Sequence, residues 1–175
     1  MDRVSDVNSG SEKHAEVPVE TGMLQWLWLA GLVLVLDQIT KLWVSGIFEL
    51  HERLEILPFF NLTLAHNYGA AFSFLASAGG WQRWFFTVIA VVVSGVLINW
   101  LRTLPKTDRW MAISLGLILG GALGNLLDRA MYGYVVDFLD FHWQGTHFPA
   151  FNVADSGITV GAIMMAIDVF RSPSK

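Results

Sequence analysis

Four long apolar segments alternate with polar stretches along the chain and predict four membrane-spanning helices. These segments cover residues 23–39 with a continuation to 44, 84–101, 110–127 and 151–170. The second and third contain no charged side chain, whereas the fourth carries Asp155 and Asp168 near its ends. A helix needs about 20 apolar residues to cross the hydrocarbon core of a bilayer. We therefore predict a membrane all-α fold, a bundle of four transmembrane helices.

The polar stretch between the first and second apolar segments has a different pattern. Large apolar residues alternate with smaller or polar ones over residues 60–65, in the sequence Phe-Asn-Leu-Thr-Leu-Ala. A period of two is typical of a strand with one buried face. We predict a small extracytoplasmic β-cradle over about residues 45–82, lying on the membrane surface between helices 1 and 2.

The basic residues predict the orientation of the bundle. Seven of them lie in the two tails and in the loop between the second and third segments: Arg3, Lys13, Arg102, Lys106, Arg109, Arg171 and Lys175. Four lie on the other side: Lys41, Arg53, Arg83 and Arg129. Cytoplasmic loops carry the excess of Lys and Arg, so we expect both termini in the cytoplasm. Residues 23–171 then form a single domain, with a disordered acidic tail at 1–22 and a short tail at 172–175.

The composition agrees with a membrane protein and excludes several kinds of function. Apolar residues make up 54% of the chain and charged residues 15%, and the mean hydropathy is +0.49. The net charge of −4 gives no basic surface for nucleic acid. The absence of cysteine excludes disulfides, thiolate metal sites and thiol catalysis. In the third segment Gly116, Gly120 and Gly124 form a stripe that would let another helix approach closely.

Ionisable residues inside or at the edge of a membrane span are costly and are therefore candidates for function. This chain has eight: Asp37, Lys41, Asp128, Arg129, Asp137, Asp140, Asp155 and Asp168. In the predicted topology all of them except Asp168 lie near the outer ends of the spans. Acidic groups from three spans and one loop thus converge at one level of one membrane face.

Each of these residues also has a purely structural interpretation. Asp37 and Lys41 are four residues apart on a helix and can neutralise each other. Asp128 and Arg129 could form an ion pair at the interface. Asp168 could pair with the nearby Arg171. On the residues alone these alternatives stay open.

The aspartates in and just before the fourth apolar segment also have structural interpretations. Asn152 is a good helix N-cap, and Asp155 three residues later could simply complement the helix dipole. Asp137 and Asp140 could be solvated carboxylates of a loop. The structural and functional interpretations have similar weight at this point.

Other chemistries have weaker candidates. Ser73 has no neighbouring base in the sequence and lies in no Gly-x-Ser-x-Gly motif. His142 and His147 have a spacing that is not typical of a metal site. If the chain is a hydrolase, water activated by carboxylates is the chemistry left. In a close carboxylate pair one member keeps a proton while the other acts as base.

Five stretches make the chain resemble the bacterial lipoprotein signal peptidase family, also called signal peptidase II, over residues 24–170. They are DQITK (37–41), NYGAAFS (67–73), GALGNLLDR (121–129), GYVVDF (133–138) and FNVADS (151–156). Each stretch alone is weakly specific, but their order, their spacing and their placement on a chain with four spans make the resemblance strong.

The resemblance implies an aspartic endopeptidase of the bacterial inner membrane with its active site near the periplasmic face. The family cleaves prolipoproteins just before a cysteine that carries diacylglycerol. Its catalytic aspartates fall on Asp137 and Asp155. Its supporting and substrate-binding positions fall on Asp37, Lys41, Asn67, Asn125, Asp128, Arg129, Asn152 and Ala154. No metal or cofactor is implied; the partners are the prolipoprotein and membrane lipid, and we expect the monomer to be functional.

The position of Asp155 predicts which of the two aspartates holds the proton. Asp155 would lie at a helix start, where the positive end of the helix favours a carboxylate, so we expect it to be the more anionic member and Asp137 the protonated one.

Two other functions compete with this one on the residues alone. A small proton- or cation-coupled transporter would also use intramembrane carboxylates. It should however carry charges near the bilayer centre or show paired halves, and neither is visible here. A structural assembly factor would need none of the carboxylates. The resemblance favours the enzyme over both.

Overall fold

The computed structural model describes residues 20–69 and 79–171 and contains four long helices and a small sheet. The helices are α1 (Leu27–Ile47), α2 (Gln82–Thr103), α3 (Arg109–Met131) and α4 (Val153–Arg171), with a 3-10 turn (Leu24–Trp26) before α1. The strands are β1 (Arg53–Leu57), β2 (Phe60–Asn67), β3 (Val135–Trp143) and β4 (Thr146–His147). The predictions for residues 1–19, for Ser73 and for 172–175 lie outside the described residues.

All four helices are long and apolar enough to cross a membrane, which confirms the four predicted spans. The central helix is α3: 56% of its most apolar stretch is buried, against 17% for α2 and for α4. The other three helices leave large apolar side chains exposed, among them Val88, Val92 and Val96 on α2. In a bilayer such side chains face lipid.

Glycines allow α3 to contact α1 and α4 at backbone distance. A Cβ atom at Gly120 would lie 2.6 Å from the carbonyl oxygen of Ala30, and a Cβ at Gly121 would overlap the carbonyl oxygen of Ala154. The predicted stripe of Gly116, Gly120 and Gly124 therefore packs against α1, as expected of small residues in a membrane bundle. Gly121 continues the same packing on the α4 side, which the stripe did not predict.

The sheet is antiparallel in the order β1-β2-β3-β4 and confirms the predicted β-cradle. Strands β1 and β2 come from the segment between α1 and α2, whereas β3 and β4 come from the segment between α3 and α4. Asp137 and Asp140 lie in β3 and are each only 3% exposed. The alternative that they are solvated loop carboxylates is therefore wrong. Both residues lie in a strand that pairs with β2, where Ala65 is opposite Asp137 and Asn61 is opposite Asp140.

The chain before α1 pairs with the connection between α2 and α3. The amides of Gly22 and Met23 donate to the carbonyls of Leu104 and Leu101, at 2.9 and 2.7 Å. The amide of Lys106 donates to the carbonyl of Glu20. These bonds lie at the end of the bundle opposite to the sheet, so the two ends of the molecule are built differently.

Candidate active site

Two carboxylates from different elements face one cavity between the sheet and the helices. Asp137 comes from β3, and Asp155 comes from the first turn of α4. The cavity measures about 660 Å³ and is lined by both side chains. The two residues that the resemblance assigns as catalytic are thus brought together. We refer to Asp137 and Asp155 as the dyad.

Asn152 fixes the start of α4 and orients both members of the dyad. Its side-chain oxygen accepts a hydrogen bond from the backbone amide of Asp155 at 2.9 Å. The backbone amide of Asn152 donates back to Asp155 Oδ2 at 3.3 Å. Asn152 is thus the N-cap that the sequence predicted, and the bond back to Asp155 makes the cap reciprocal. Asn152 Nδ2 also donates to Asp137 Oδ1 at 2.8 Å. Asn152, which is fully buried, therefore positions the Asp137 carboxylate through its side chain and the Asp155 carboxylate through its backbone amide.

The second oxygen of Asp137 accepts a hydrogen bond from Asn67 Nδ2 at 3.0 Å, so β2 supplies the other donor. Burial, and secondly the negative charge of Asp155, together raise the pKa of Asp137 to about 7. The hydrogen bonds from Asn67 and Asn152 oppose this rise. Asp137 can therefore hold a proton near neutral pH.

Asn125 links Asp155 to a buried cation. Its amide donates to Asp155 Oδ1 at 2.8 Å, while its oxygen accepts from Lys41 Nζ at 3.0 Å. Because an ammonium group can only donate, Lys41 fixes which end of the amide points to Asp155. Asn125 thus presents a donor to the dyad in one orientation.

Lys41 lies between two further aspartates in what we call the ion cluster, Asp37, Lys41 and Asp128. Its ammonium nitrogen is 2.8 Å from Asp37 Oδ2 and 2.9 Å from Asp128 Oδ2. All three side chains are at most 3% exposed. With Asn125, these two carboxylates provide an acceptor for each of the three ammonium protons. Gln38 Nε2 also donates to Asp128 Oδ1 at 2.9 Å, a role that the sequence analysis did not assign although Gln38 lies inside the DQITK stretch.

The ion cluster also holds the two elements that carry the dyad. Asp37 Oδ1 accepts the amide of Ala154 at 2.8 Å, in the first turn of α4. Asp128 Oδ2 accepts the amide of Val136 at 3.0 Å, next to Asp137. The i,i+4 pair of Asp37 and Lys41 therefore exists, but neutralising each other is not its whole role.

Arg129 lines the same cavity as the dyad and does not pair with Asp128. Its guanidinium donates to the carbonyl of Gly69 at 2.8 Å and lies 5.3 Å from the centre of the Phe86 ring. The structural alternative of an interfacial ion pair between Asp128 and Arg129 is wrong, because Asp128 pairs with Lys41 instead. Arg129 instead brings a positive charge to the cavity wall.

The remaining candidates lie away from the dyad. Asp140 contacts His147 Nδ1 at 2.8 Å and Asn61 Nδ2 at 3.1 Å on the outer part of the sheet. Asp168 is half-buried near the opposite end of α4. Within residues 20–69 and 79–171, no three His, Asp or Glu side chains are grouped as metal ligands.

The cavity wall includes residues that the sequence analysis missed. They are mostly apolar and come from β2, from the segment before α4 and from α4 itself: Ala65, Phe148, Pro149, Phe151, Ile158 and Val160. Nothing in the local pattern distinguishes them from lipid-facing residues. Only the packing of the sheet over α4 makes them a wall.

Comparison with known proteins agrees with this geometry. The family model described as "Signal peptidase (SPase) II" matches residues 29–171. A lipoprotein signal peptidase of Pseudomonas putida is 57% identical over 153 residues, which cover 86% of this chain and 90% of that protein. One of Alteromonas mediterranea is 53% identical over 156 residues, 89% of this chain and 85% of that protein.

A solved structure described as "Bacterial membrane enzyme structure by the in meso method at 2.3 A resolution" has a TM-score of 0.79. It is 31% identical in sequence, and the match covers 91% of this chain and 95% of that one. Sequence and fold therefore agree over almost the whole described part of the chain. The chain belongs to the signal peptidase II family of aspartic peptidases.

Proposed function

We propose that this protein removes the signal peptide from diacylglyceryl-modified prolipoproteins, cleaving just before the lipidated cysteine with water activated by Asp137 and Asp155. The observation that carries the proposal is that both carboxylates line one cavity and are held by amide donors. Such donors orient a carboxylate without cancelling its charge. The proton of the pair therefore remains free to move during a reaction.

In the proposed mechanism Asp155 is the anionic base and Asp137 is the protonated acid. A water molecule between them loses a proton to Asp155 and attacks the carbonyl carbon of the scissile bond, while Asp137 gives its proton to the carbonyl oxygen. The tetrahedral intermediate then collapses. The cysteine nitrogen takes the proton from Asp155, the C–N bond breaks, and Asp137 recovers a proton from one hydroxyl of the intermediate.

The raised pKa of Asp137 supports this division of roles. An acid that must be protonated at neutral pH needs a pKa near 7, and burial next to Asp155 provides it. Asp155 is oriented by the reciprocal cap with Asn152 and lies at the positive end of α4.

The apolar part of the cavity wall suits a lipidated substrate. Phe151, Ile158 and Val160 line the cavity, and Val160 is 50% exposed on the outer side of α4. A substrate could therefore keep its acyl chains and signal peptide in lipid while the scissile bond reaches the dyad.

The first test is cleavage of a diacylglyceryl-modified prolipoprotein by the purified protein in detergent, with product masses measured. We expect a cut just before the lipidated cysteine, no cut in the unlipidated precursor, and no effect of EDTA. Asp137→Asn should be folded and inactive, and Asp168→Asn, an aspartate near the other end of α4, should cleave as wild type does. Cleavage by Asp137→Asn, or failure of folded wild type, would contradict the proposal.

We also propose that the protein lies in the bacterial inner membrane with both termini in the cytoplasm and the dyad near the periplasmic face. The support is the excess of basic residues in the two tails and in the segment between α2 and α3 over those in the other connecting segments of the sequence. Because the chain has no cysteine, single-cysteine variants test this directly. A membrane-impermeant thiol reagent should label Glu55→Cys in intact spheroplasts and Thr107→Cys only after permeabilisation; the reverse pattern would invert the topology.

The donors to both dyad carboxylates come from one chain. We therefore expect the monomer to be active. Light scattering on the active detergent fraction, corrected for bound detergent, should give the mass of one chain. Activity confined to a larger species would contradict this expectation.

A further inference from the structure

A second cavity lies beside the first on the side of the sheet. It measures about 330 Å³. Ala65, Phe148, Pro149 and Ala150 line both cavities. Since Ala65 is the register partner of Asp137, the two cavities meet at the strand pair that carries one member of the dyad.

The rest of the second cavity is polar, in contrast to the apolar wall of the first. Its other lining residues are His51, Arg53, Thr63, Asp140 and His147. They come from the sheet and from the turn that precedes β1, not from the membrane-spanning helices. A polar chain would be better accommodated here than a lipid tail.

The one carboxylate of this cavity already has close partners. Asp140 contacts His147 Nδ1 at 2.8 and 3.0 Å and Asn61 Nδ2 at 3.1 Å. Burial alone would raise the pKa of Asp140, but the hydrogen bonds from His147 and Asn61, with the charges of His147 and Arg53, outweigh burial and hold the pKa below its usual value. Asp140 is therefore an anion whose hydrogen-bonding capacity is largely used.

Arg53 forms a longer ion pair with Asp140 and has no partner as close as those of Asp140. Its Nε lies 3.8 Å from Asp140 Oδ2, beyond hydrogen-bonding distance, and its side chain is 58% exposed. No side chain in residues 20–69 or 79–171 accepts a hydrogen bond from its guanidinium. The cavity thus presents a cation with free donors close to the dyad.

We infer that this second cavity receives the first residue of the mature chain after the lipidated cysteine, and that Arg53 makes an acidic side chain favoured at that position. The inference rests on the proposed function. The signal peptide and acyl chains are apolar and remain on the lipid side, so the polar mature chain must leave toward water past the sheet. The second cavity is the polar space that adjoins the dyad on that side.

The test uses three lipidated precursors that differ only in the residue after the cysteine: Asp, Asn or Lys. For wild type we expect kcat/KM to fall in that order, with about a fivefold difference between Asp and Lys, because partly exposed charges interact weakly. Arg53→Gln should bring the Asp:Lys ratio close to one, and Arg53→Lys should keep the preference. The matched control is Arg102→Gln, which removes a positive charge in the last turn of α2, at the end of the bundle away from the sheet. It should keep the wild-type Asp:Lys ratio.

Cleavage of the Asn substrate shows that the proposed function holds, whatever the preference. Equal kcat/KM for all three substrates would overturn the inference and leave the proposed function standing. A loss in Arg53→Gln that is the same for all three substrates would also overturn it, since Arg53 would then serve another ligand such as a lipid headgroup. If folded wild type cleaves none of them, the proposed function fails and the inference fails with it.

Discussion

Two groups of aspartates lie side by side at the end of the bundle that carries the sheet, and their hydrogen-bonding partners differ. In the ion cluster, Asp37 and Asp128 share the ammonium group of Lys41. In the dyad, the close donors are neutral amides, those of Asn67 and Asn152 for Asp137 and that of Asn125 for Asp155. The two groups are linked through Asn125.

This difference in partners indicates different tasks. A buried cation compensates the charge of the two carboxylates, so the ion cluster suits a fixed structural role. Amide donors orient the carboxylates but leave their mutual repulsion in place. The dyad can therefore share a proton, and burial together with this repulsion raises the pKa of Asp137. We expect changes in the ion cluster to affect mainly stability and changes in the dyad to affect mainly turnover.

The largest loss of stability should follow Lys41→Met. This change leaves Asp37 and Asp128 buried with no cation between them, and breaking a buried ion pair in this way costs about 3–5 kcal/mol. Unfolding in detergent, followed by circular dichroism, should show a protein that is unfolded or nearly so.

The matched control is Lys106→Met. Lys106 is also 3.0 Å from a carboxylate, that of Glu20, but both side chains are more than half exposed. Exposed pairs contribute about 0–1 kcal/mol. If both lysine variants lose the same stability, burial and charge compensation do not distinguish the ion cluster.

The second prediction concerns the link between the two groups. Asn125→Leu removes the donor to Asp155 and an acceptor of Lys41, and leaving a buried polar group unpaired costs about 1–3 kcal/mol. Since Asp155 is then misoriented, we expect kcat to fall by about 10–100-fold with a smaller change in KM. Asn99→Leu on the exposed face of α2 is the control and should change neither quantity. If Asn125→Leu lowers only the unfolding midpoint and keeps the wild-type kcat below that temperature, Asn125 does not couple the ion cluster to the dyad.

Much of this arrangement could be predicted from the sequence, for physical reasons that differ between elements. The four spans follow from hydrophobic length alone, and the cap between Asn152 and Asp155 follows from a local spacing. The partners of Asp128 could not be predicted, because the choice between adjacent Arg129 and distant Lys41 depends on how α3 packs against α1. The strand that carries Asp137 was missed for a similar reason: its pairing partner β2 lies about 70 residues earlier, as the Ala65–Asp137 register shows.

The third prediction disturbs the ion cluster without changing any charge. A Cβ atom at Gly124 would lie 2.5 Å from Asp37 Oδ2, so Gly124→Ala forces the carboxylate to move. Overpacking of this kind costs about 1–3 kcal/mol. Gly95→Ala in α2 meets nothing within 4 Å and should leave the unfolding midpoint unchanged or slightly raised. A neutral result at Gly124 would mean that the cluster is not rigidly held.

The smallest expected effect is a shift in pH dependence. In the proposed mechanism Asp137 acts in its protonated form, so kcat/KM should fall as the pH rises through about 7. Asn67→Ala removes a hydrogen bond that favours the carboxylate, so the pKa of Asp137 should rise and this limb should move up by about one pH unit or less. If this limb moves to lower pH instead, the hydrogen bond from Asn67 does not favour the carboxylate form of Asp137.

The same pKa has a consequence for stability. The folded protein holds the Asp137 proton up to a pH of about 7, whereas the ordinary value is 3.8. This contribution is thus fully present below pH 3.8 and is lost as the pH rises toward 7. Asp137→Asn should remove that part of the pH dependence of unfolding.

The central claim is that the ion cluster holds the fold while the dyad performs the chemistry, and one paired measurement tests it most directly. Turnover of the lipidated precursor and the thermal unfolding midpoint would be measured for Asp155→Asn and Asp37→Asn, which make the same chemical change in the two groups. We predict that Asp155→Asn keeps the wild-type midpoint and loses turnover by about 10³–10⁴-fold. Asp37→Asn should lower the midpoint by roughly 4–8 °C, as a loss of about 2 kcal/mol would. Retained turnover in Asp155→Asn, or an equal loss of stability in both variants, would contradict the account.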